Sequence, residues 1–356
     1  MTRSHPDTAG ERAGGVWTDE QRRGSEERAR PSSAGGKTPR SGPLTRAERA
    51  NQTLRSRLYR LDVKGSPYLY VAPFFLLFAV FGLFPLAYTA LISTTAWSPR
   101  RPGSEDISVG LGNYRNLWHD DNFWNALVNT LGIGVTSTVP QLLLALGIAH
   151  LLNYRLRGRL FLRMGVLVPY VTSVAAAALI FNQMFARDFG FLNWLLQPFV
   201  DGPIDWRASK AASWTAVSVM VTWHWTGYNA LIYLAAMQTI PYELYESAAI
   251  DGASRWRQFW AITVPSIRPT IIFTVIVSTI GALQLFAEPF LFDTTRNHNG
   301  GADRQFQTVV LYLYQQFWTN GRYGYAAAIA WSLFLVTIVI VLVNLLLVRR
   351  IRSSDD

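Results

Sequence analysis

Half of the 356 residues are hydrophobic and only 16% are charged, a balance poor in charge for a soluble protein, while the formal charge is +10. The absence of cysteine excludes a disulfide framework, Cys-ligated zinc and a thiol nucleophile. In a membrane protein such basicity marks the cytoplasmic side and its anionic lipids, so no nucleic-acid partner is expected.

Residues 1–66 hold 14 of the 33 Lys and Arg and none of the long apolar runs. Rich in Gly, Ser and Pro and in both charge signs, this stretch reads as a disordered basic cytoplasmic tail, with no uninterrupted apolar segment of a cleaved signal peptide. Gly36-Lys37-Thr38 resembles the end of a phosphate-binding loop, but Pro31 stands where that motif needs its first Gly. A solvated linker is the better reading.

Six runs reach the roughly 20 apolar residues that a membrane helix needs: 67–94, 125–152, 164–186, 213–238, 269–292 and 325–348. The first and last carry no charge, and the middle ones are interrupted by Pro, Gly, Asn, Gln and Trp, as expected of helices that pack together or line a cavity. Segments 153–163, 239–268 and 349–356 carry 10 Lys or Arg in 49 residues, against 9 in 88 for segments 95–124, 187–212 and 293–324. That bias puts both termini and segment 239–268 in the cytoplasm. The expected architecture is all-α: a polytopic bundle of six transmembrane helices over 67–350, a disordered N-terminal tail, and a short cytoplasmic C-terminal tail at 351–356.

Polar side chains within a span point to a pathway, because each is costly unless it faces protein or water. The fourth run carries Trp223, His224, Trp225, Thr226, Gly227, Tyr228 and Asn229 within two turns; the fifth carries Gln284 and Glu288 one turn apart, with Pro289 opening the backbone beside them. Asn182 and Gln183 lie near the outer end of the third. Indole and phenol rings beside amides and a carboxylate suit a sugar, the rings stacking on its C–H face and the polar groups meeting its hydroxyls. The plainer reading of the rings is an interfacial aromatic belt, and that of His224 a helix-contact residue. No HExxH, GxSxG or metal-ligand cluster occurs, so neither a catalytic residue nor a bound metal is expected. Glu288 is also open to a reading as the proton carrier of a secondary transporter.

Segment 239–268 is different in kind. Pro241 suits the start of a helix, Glu243 and Glu246 its positive end, Ala248 and Ala249 a close-approach face, and Gly252 a turn. A second short helix, "SRWRQFW", follows and is expected to end at Pro265, the pair forming a rigid cytoplasmic knob.

The pattern Glu246-Ser247-Ala248-Ala249, then Asp251-Gly252, then Ile262 and Val264-Pro265 resembles the "EAA" loop of permease subunits from bacterial binding-protein-dependent ABC importers, with Ser247 where the family often has Ala. The likeness covers about 67–350, including "GLGNYRNL…DDNFWNALVNT" and "NGGADRQFQT", and is closest to the carbohydrate, maltose-permease-like branch. It implies a type I ABC importer permease that binds no cofactor itself, ATP and Mg²⁺ residing on the partner ATPase. The implied partners are a homologous second permease, two cytoplasmic ABC ATPase subunits, an extracytoplasmic sugar-binding protein and membrane lipid. Carried over by position, Glu246, Ala248, Ala249, Asp251, Gly252 and Pro265 would couple to the ATPase. Trp223, Trp225, Thr226, Gly227, Tyr228, Asn229, Gln284 and Glu288 would hold substrate. The stretches around Gln284 and Gln307 are most similar to permeases for lactose- or cellobiose-type sugars, so a disaccharide or oligosaccharide is the implied cargo.

Overall fold

The computed structural model describes residues 68–154 and 157–352. The chain divides into Met1–Leu76, of which the described residues are helical and exposed, and Leu77–Asp356. The tail expected at 1–66 lies outside the described residues, as do residues 353–356 of the tail expected at 351–356, whose Ile351 and Arg352 continue the last helix. Among those residues every regular element is helical, and the one extended pairing is an isolated bridge between Thr95 and Ser108.

In chain order the helices are α1 (Tyr68–Ser93), α2 (Gly112–Trp118), α3 (Asp121–Asn153), α4 (Arg159–Val171), α5 (Val174–Met184), α6 (Phe191–Leu196) and α7 (Lys210–Met237). Then come α8 (Tyr242–Ile250), α9 (Arg255–Ser266), α10 (Arg268–Leu283), α11 (Ala287–Phe292), α12 (Val309–Tyr314) and α13 (Tyr323–Arg352). Side-chain oxygens open several of them: Asp120 accepts from Asn122 N at 3.0 Å before α3, Ser209 from Ala212 N at 3.3 Å before α7, and Thr308 from Leu311 N at 3.3 Å before α12.

The expectation of six spans is met in part. Three helices are long and apolar enough to cross a membrane, α1, α3 and the Tyr323–Leu346 part of α13. The count reaches up to five if each of two bent pairs is one span, α4 with α5 (bent 89°) and α9 with α10 (69°). The fourth expected run is the 28-residue α7, about 42 Å long at 1.5 Å per residue. It falls outside this set by composition, because its Ser, Thr, Trp, His, Tyr and Asn residues lower its mean hydropathy. Half of its residues are buried, and its polar groups find protein partners: Ser213 Oγ donates to Trp206 O at 3.1 Å and Thr222 Oγ1 to Ser137 O at 3.2 Å.

α7 is the axis of the bundle, packing along α3 and against α4 and α10. Two apolar clusters share those helices. One gathers Ile133, Phe181, Phe185, Val217, Met220 and Phe292; the other gathers Ala145, Ala149, Tyr233, Leu234, Phe259 and Ile267. A third, with Phe123, Tyr312, Tyr325 and Ile329, ties α3 to α12 and α13.

One proline expectation and one shared helical face are corrected. Pro265 does not end the second helix of segment 239–268: it sits inside α9, after a π-helical turn over Phe259–Thr263, and the chain turns at Ile267. Pro289 lies within α11, and the backbone opens before it, at Gln284–Phe286. A proline cannot donate to the carbonyl four residues back, here that of Leu285, and its ring crowds it. Gln284 is therefore an exposed C-cap of α10 while Glu288 is buried in the first turn of α11, so the two do not share a helical face.

Candidate functional site

A groove of about 660 Å³ lies between α3, α4 and α7, open on one side. From α7 it takes Thr215, Ser218, Val219, Thr222, Trp223 and Thr226, a stripe at helical spacing; facing it are Thr136, Pro140 and Leu144 of α3 and Val166 and Pro169 of α4. Its size is that of a small-molecule site, mostly apolar with a few hydroxyls. Thr136 Oγ1 and Ser218 Oγ are 2.7 Å apart, joining the two walls.

This geometry divides the residues singled out in the fourth run. Trp223, Thr226 and Gly227 line the groove. Trp225 and Tyr228 belong to another face, where the Tyr170 ring of α4 stacks on Tyr228 at 4.7 Å and meets Trp225 edge-on at 5.5 Å. Asn229 is buried, its amide donating to Trp225 O at 3.4 Å. Gly227 has a packing reason of its own: a Cβ there would lie 1.8 Å from Val166 O, so α4 crosses α7 where no side chain intervenes. Neither Gln284 nor Glu288 lines the groove. Asn182 accepts from Arg207 Nη2 at 2.8 Å and donates to Leu291 O at 2.8 Å, a structural tie between loop and α11. Thr136, Ser218, Thr222 and Tyr170 were missed; the threonines and serine of α7 at 215, 218, 222 and 226 were the available signal.

The segment after α7 forms two joined helices. No residue of α8 is buried: Glu246, Ala249, Asp251 and Gly252 are exposed, and Ile250 is 86% exposed. Gly252 closes α8 with φ +76°, its N–H bonding Ala249 O at 3.1 Å and that of Ala253 bonding Ala248 O at 2.9 Å. Nothing lies within 4 Å of where a Cβ would stand, so dihedral, not space, calls for glycine. Tyr245 Oη meets Thr263 Oγ1 at 2.9 Å, fastening α8 to α9, and Phe259 of α9 packs on His150 of α3 at 4.4 Å between ring centres.

The two other motifs of the resemblance, at 110–130 and 299–308, touch each other. Asn125 and Asn129 donate to Arg304 O at 2.9 and 2.8 Å, Asn129 also to Gln307 O at 3.1 Å, and Thr130 Oγ1 accepts from Val309 N at 2.9 Å. Asp293 closes the same loop, accepting from Gly300 N at 2.6 Å and Gly301 N at 3.2 Å. Asp120 Oδ2 accepts from the hydroxyls of Tyr312 and Tyr325, both at 2.5 Å.

Residues 141–353 match the family described as binding-protein-dependent transport system inner membrane component. The chain is 36% identical over 292 residues to the lactose transport system permease protein LacF of Rhizobium radiobacter, covering 81% of this chain and 95% of that one. It is 32% identical over 305 residues to the arabinooligosaccharides transport system permease protein AraP of Halalkalibacterium halodurans, covering 85% and 94%. In fold it is similar to the crystal structure of a bacterial ABC transporter involved in the import of the acidic polysaccharide alginate, with a TM-score of 0.69 at 22% identity over 83% of this chain and 99% of that one. These matches overturn the reading of Glu288 as the proton carrier of a secondary transporter. The helical bundle is thus that of a multi-pass ABC importer permease, and the chain belongs to the family of binding-protein-dependent transport system inner membrane components.

Proposed function

We propose that this permease carries a sugar, a disaccharide or oligosaccharide of lactose or cellobiose type, through the groove beside α7. The observation that carries the reading is the stripe Thr215–Ser218–Thr222–Thr226 with Trp223 at its edge: an apolar wall, an indole face and hydroxyls are the complement of a sugar's two kinds of surface. Relatives named for lactose and for arabinooligosaccharides support it. Trp223 and Thr226 contact the sugar directly, Gly227 keeps the wall thin, and Trp225, Tyr228 and Asn229 hold α7 in register with α4. Gln284 and Glu288 flank the break at the end of α10, where the path continues.

In this reading the chain crosses the membrane six times, with α7 as the fourth pass and both termini in the cytoplasm. It pairs with a homologous permease, completing the open side of the groove, and receives sugar from an extracytoplasmic binding protein. Two cytoplasmic ATPases, carrying ATP and Mg²⁺, grip α8 through Glu246, Ala248, Ala249, Asp251 and Gly252. Pro265 stiffens α9 where force passes to α10. Hydrolysis on the ATPases rocks α8, and the groove faces alternately outward and inward. The test is uptake by the reconstituted importer with its binding protein. Radiolabelled lactose and cellobiose should enter only with internal ATP; uptake that survives ATP depletion and collapses with a protonophore overturns the reading.

A further inference from the structure

At the α8 end of α7, Arg159 and Arg163, one turn apart on α4, both donate through Nη2 to the side-chain carbonyl of Gln238. The Nε–H groups of both arginines are buried and have no acceptor. Among the described residues neither arginine has a carboxylate partner, the ion pair there being Arg187 with Asp205, at 4.0 Å. Two full positive charges therefore converge on one neutral oxygen. The C-terminal end of α7, capped by Gln238, offers only about half an elementary charge in compensation. The cluster is short of an anion.

A second feature says what kind. Beginning beside Arg159, the residues Leu160, Met164, Val168 and Val171 are 72, 52, 58 and 78% exposed, at the spacing of one helical stripe. An anion clamp at the head of an apolar stripe matches an amphiphile with an anionic head and hydrocarbon tails. The geometry points to a binding site for an anionic phospholipid of the cytoplasmic leaflet, its phosphate between Arg159 and Arg163 and one acyl chain along α4. The site rests on the cytoplasmic placement of the α7–α8 junction. Because Gln238 is the last residue before that junction, a bound lipid also fixes the point from which α8 departs.

The test places the assembled importer, without sugar, in nanodiscs of phosphatidylcholine with a minority of phosphatidylglycerol, and reads the retained lipid by native mass spectrometry. Wild type should retain phosphatidylglycerol preferentially. R159Q/R163Q should lose that preference by about thirtyfold, and R159K/R163K should keep part of it because charge remains while the guanidinium fork is lost. If the double variant fails to assemble, R163Q alone should lose about fivefold. Equal retention of both lipids by wild type overturns the proposal, as does an unchanged preference in the glutamine variants accompanied only by lower thermal stability, which makes the arginines a cap for α7. Inorganic phosphate that stabilises the importer in pure phosphatidylcholine as well as phosphatidylglycerol does also overturns it, since the anion is then free phosphate. Sugar appears in none of these arms, so the outcome is independent of the cargo assignment.

Discussion

Pro289 releases the carbonyl of Leu285, and Thr308, 23 residues along the chain, accepts the task of satisfying it, with Thr308 Oγ1 donating to Leu285 O at 2.8 Å. The same hydroxyl oxygen caps α12 by accepting from Leu311 N. One buried side chain thus holds both the break after α10 and the start of α12.

Thr308→Ala should accordingly destabilise by about 2 kcal/mol, leaving a buried carbonyl unpaired and a helix uncapped. Thermal unfolding of the purified importer measures it. Thr308→Ser, which keeps the hydroxyl, should recover most of the loss, whereas equal effects of Ala and Ser would assign the residue to packing.

Gly252→Ala forces a side chain to φ +76°, at about 1 kcal/mol, and Gly252→Pro is incompatible with that dihedral. Because no residue of α8 is buried, the spans should unfold near the wild-type temperature in both. ATP-driven uptake should fall in the alanine variant and vanish in the proline variant, with the ATPase lost on co-purification. Wild-type uptake by Gly252→Pro would count against α8 as the docking element.

Gly227 and Trp223 line the same groove and should behave in different ways. Gly227→Ala brings a methyl against Val166 O and should lower stability by about 1–3 kcal/mol. Trp223→Ala, at a groove wall 37% exposed and edge-on to Phe181, should lower the melting temperature only in part and, unlike the glycine variant, raise the KM for sugar. A Trp223→Ala importer with normal KM in an uptake titration places the sugar elsewhere.

Burial alone would raise the Asp120 carboxyl, but the hydroxyls of Tyr312 and Tyr325 and the N–H groups of Asn122 and Phe123 outweigh it and hold the group below its ordinary 3.8. A lowered carboxyl binds fewer protons in the folded state. Its contribution is therefore complete above the unfolded value and is lost as pH falls through the lowered folded one. Stability measured downward from pH 5 should decline in wild type, and Asp120→Asn should be less stable at pH 7 with a shallower acid slope. The Tyr312 hydroxyl is pushed up, first by burial and then by Asp120, so it stays a donor through this range.

What could be read in the sequence was whatever depends on near neighbours. Gly252 declared the end of α8 because a left-handed dihedral is a local demand, and the charge-free runs of α1 and α13 needed no partner to be recognised. What escaped was set at a distance. Trp223 and Trp225 are two residues apart and read as one cluster, yet helical geometry turns them about 200° from each other, one into the groove and one onto Tyr170. Pro289 was visible, but the position of the break it causes depends on Thr308. The run over 213–238 was recognisable as a helix by length; that α3, α4 and α10 pack against it follows only from the tertiary structure.

The hydroxyl tie between Tyr245 and Thr263 makes α8 and α9 a single bent lever. Its outer arm, nine residues and about 13 Å, ends at the almost bare Ile250; its inner end is Ile267, 2% exposed in the apolar cluster with Tyr233 and Phe259. Without the tie, the turn at Gly252 would be a slack joint, and a push on the outer arm would be spent in swinging it. With the tie, the stroke proposed above would arrive at the foot of α10 through an elbow that two small hydroxyl groups help to hold.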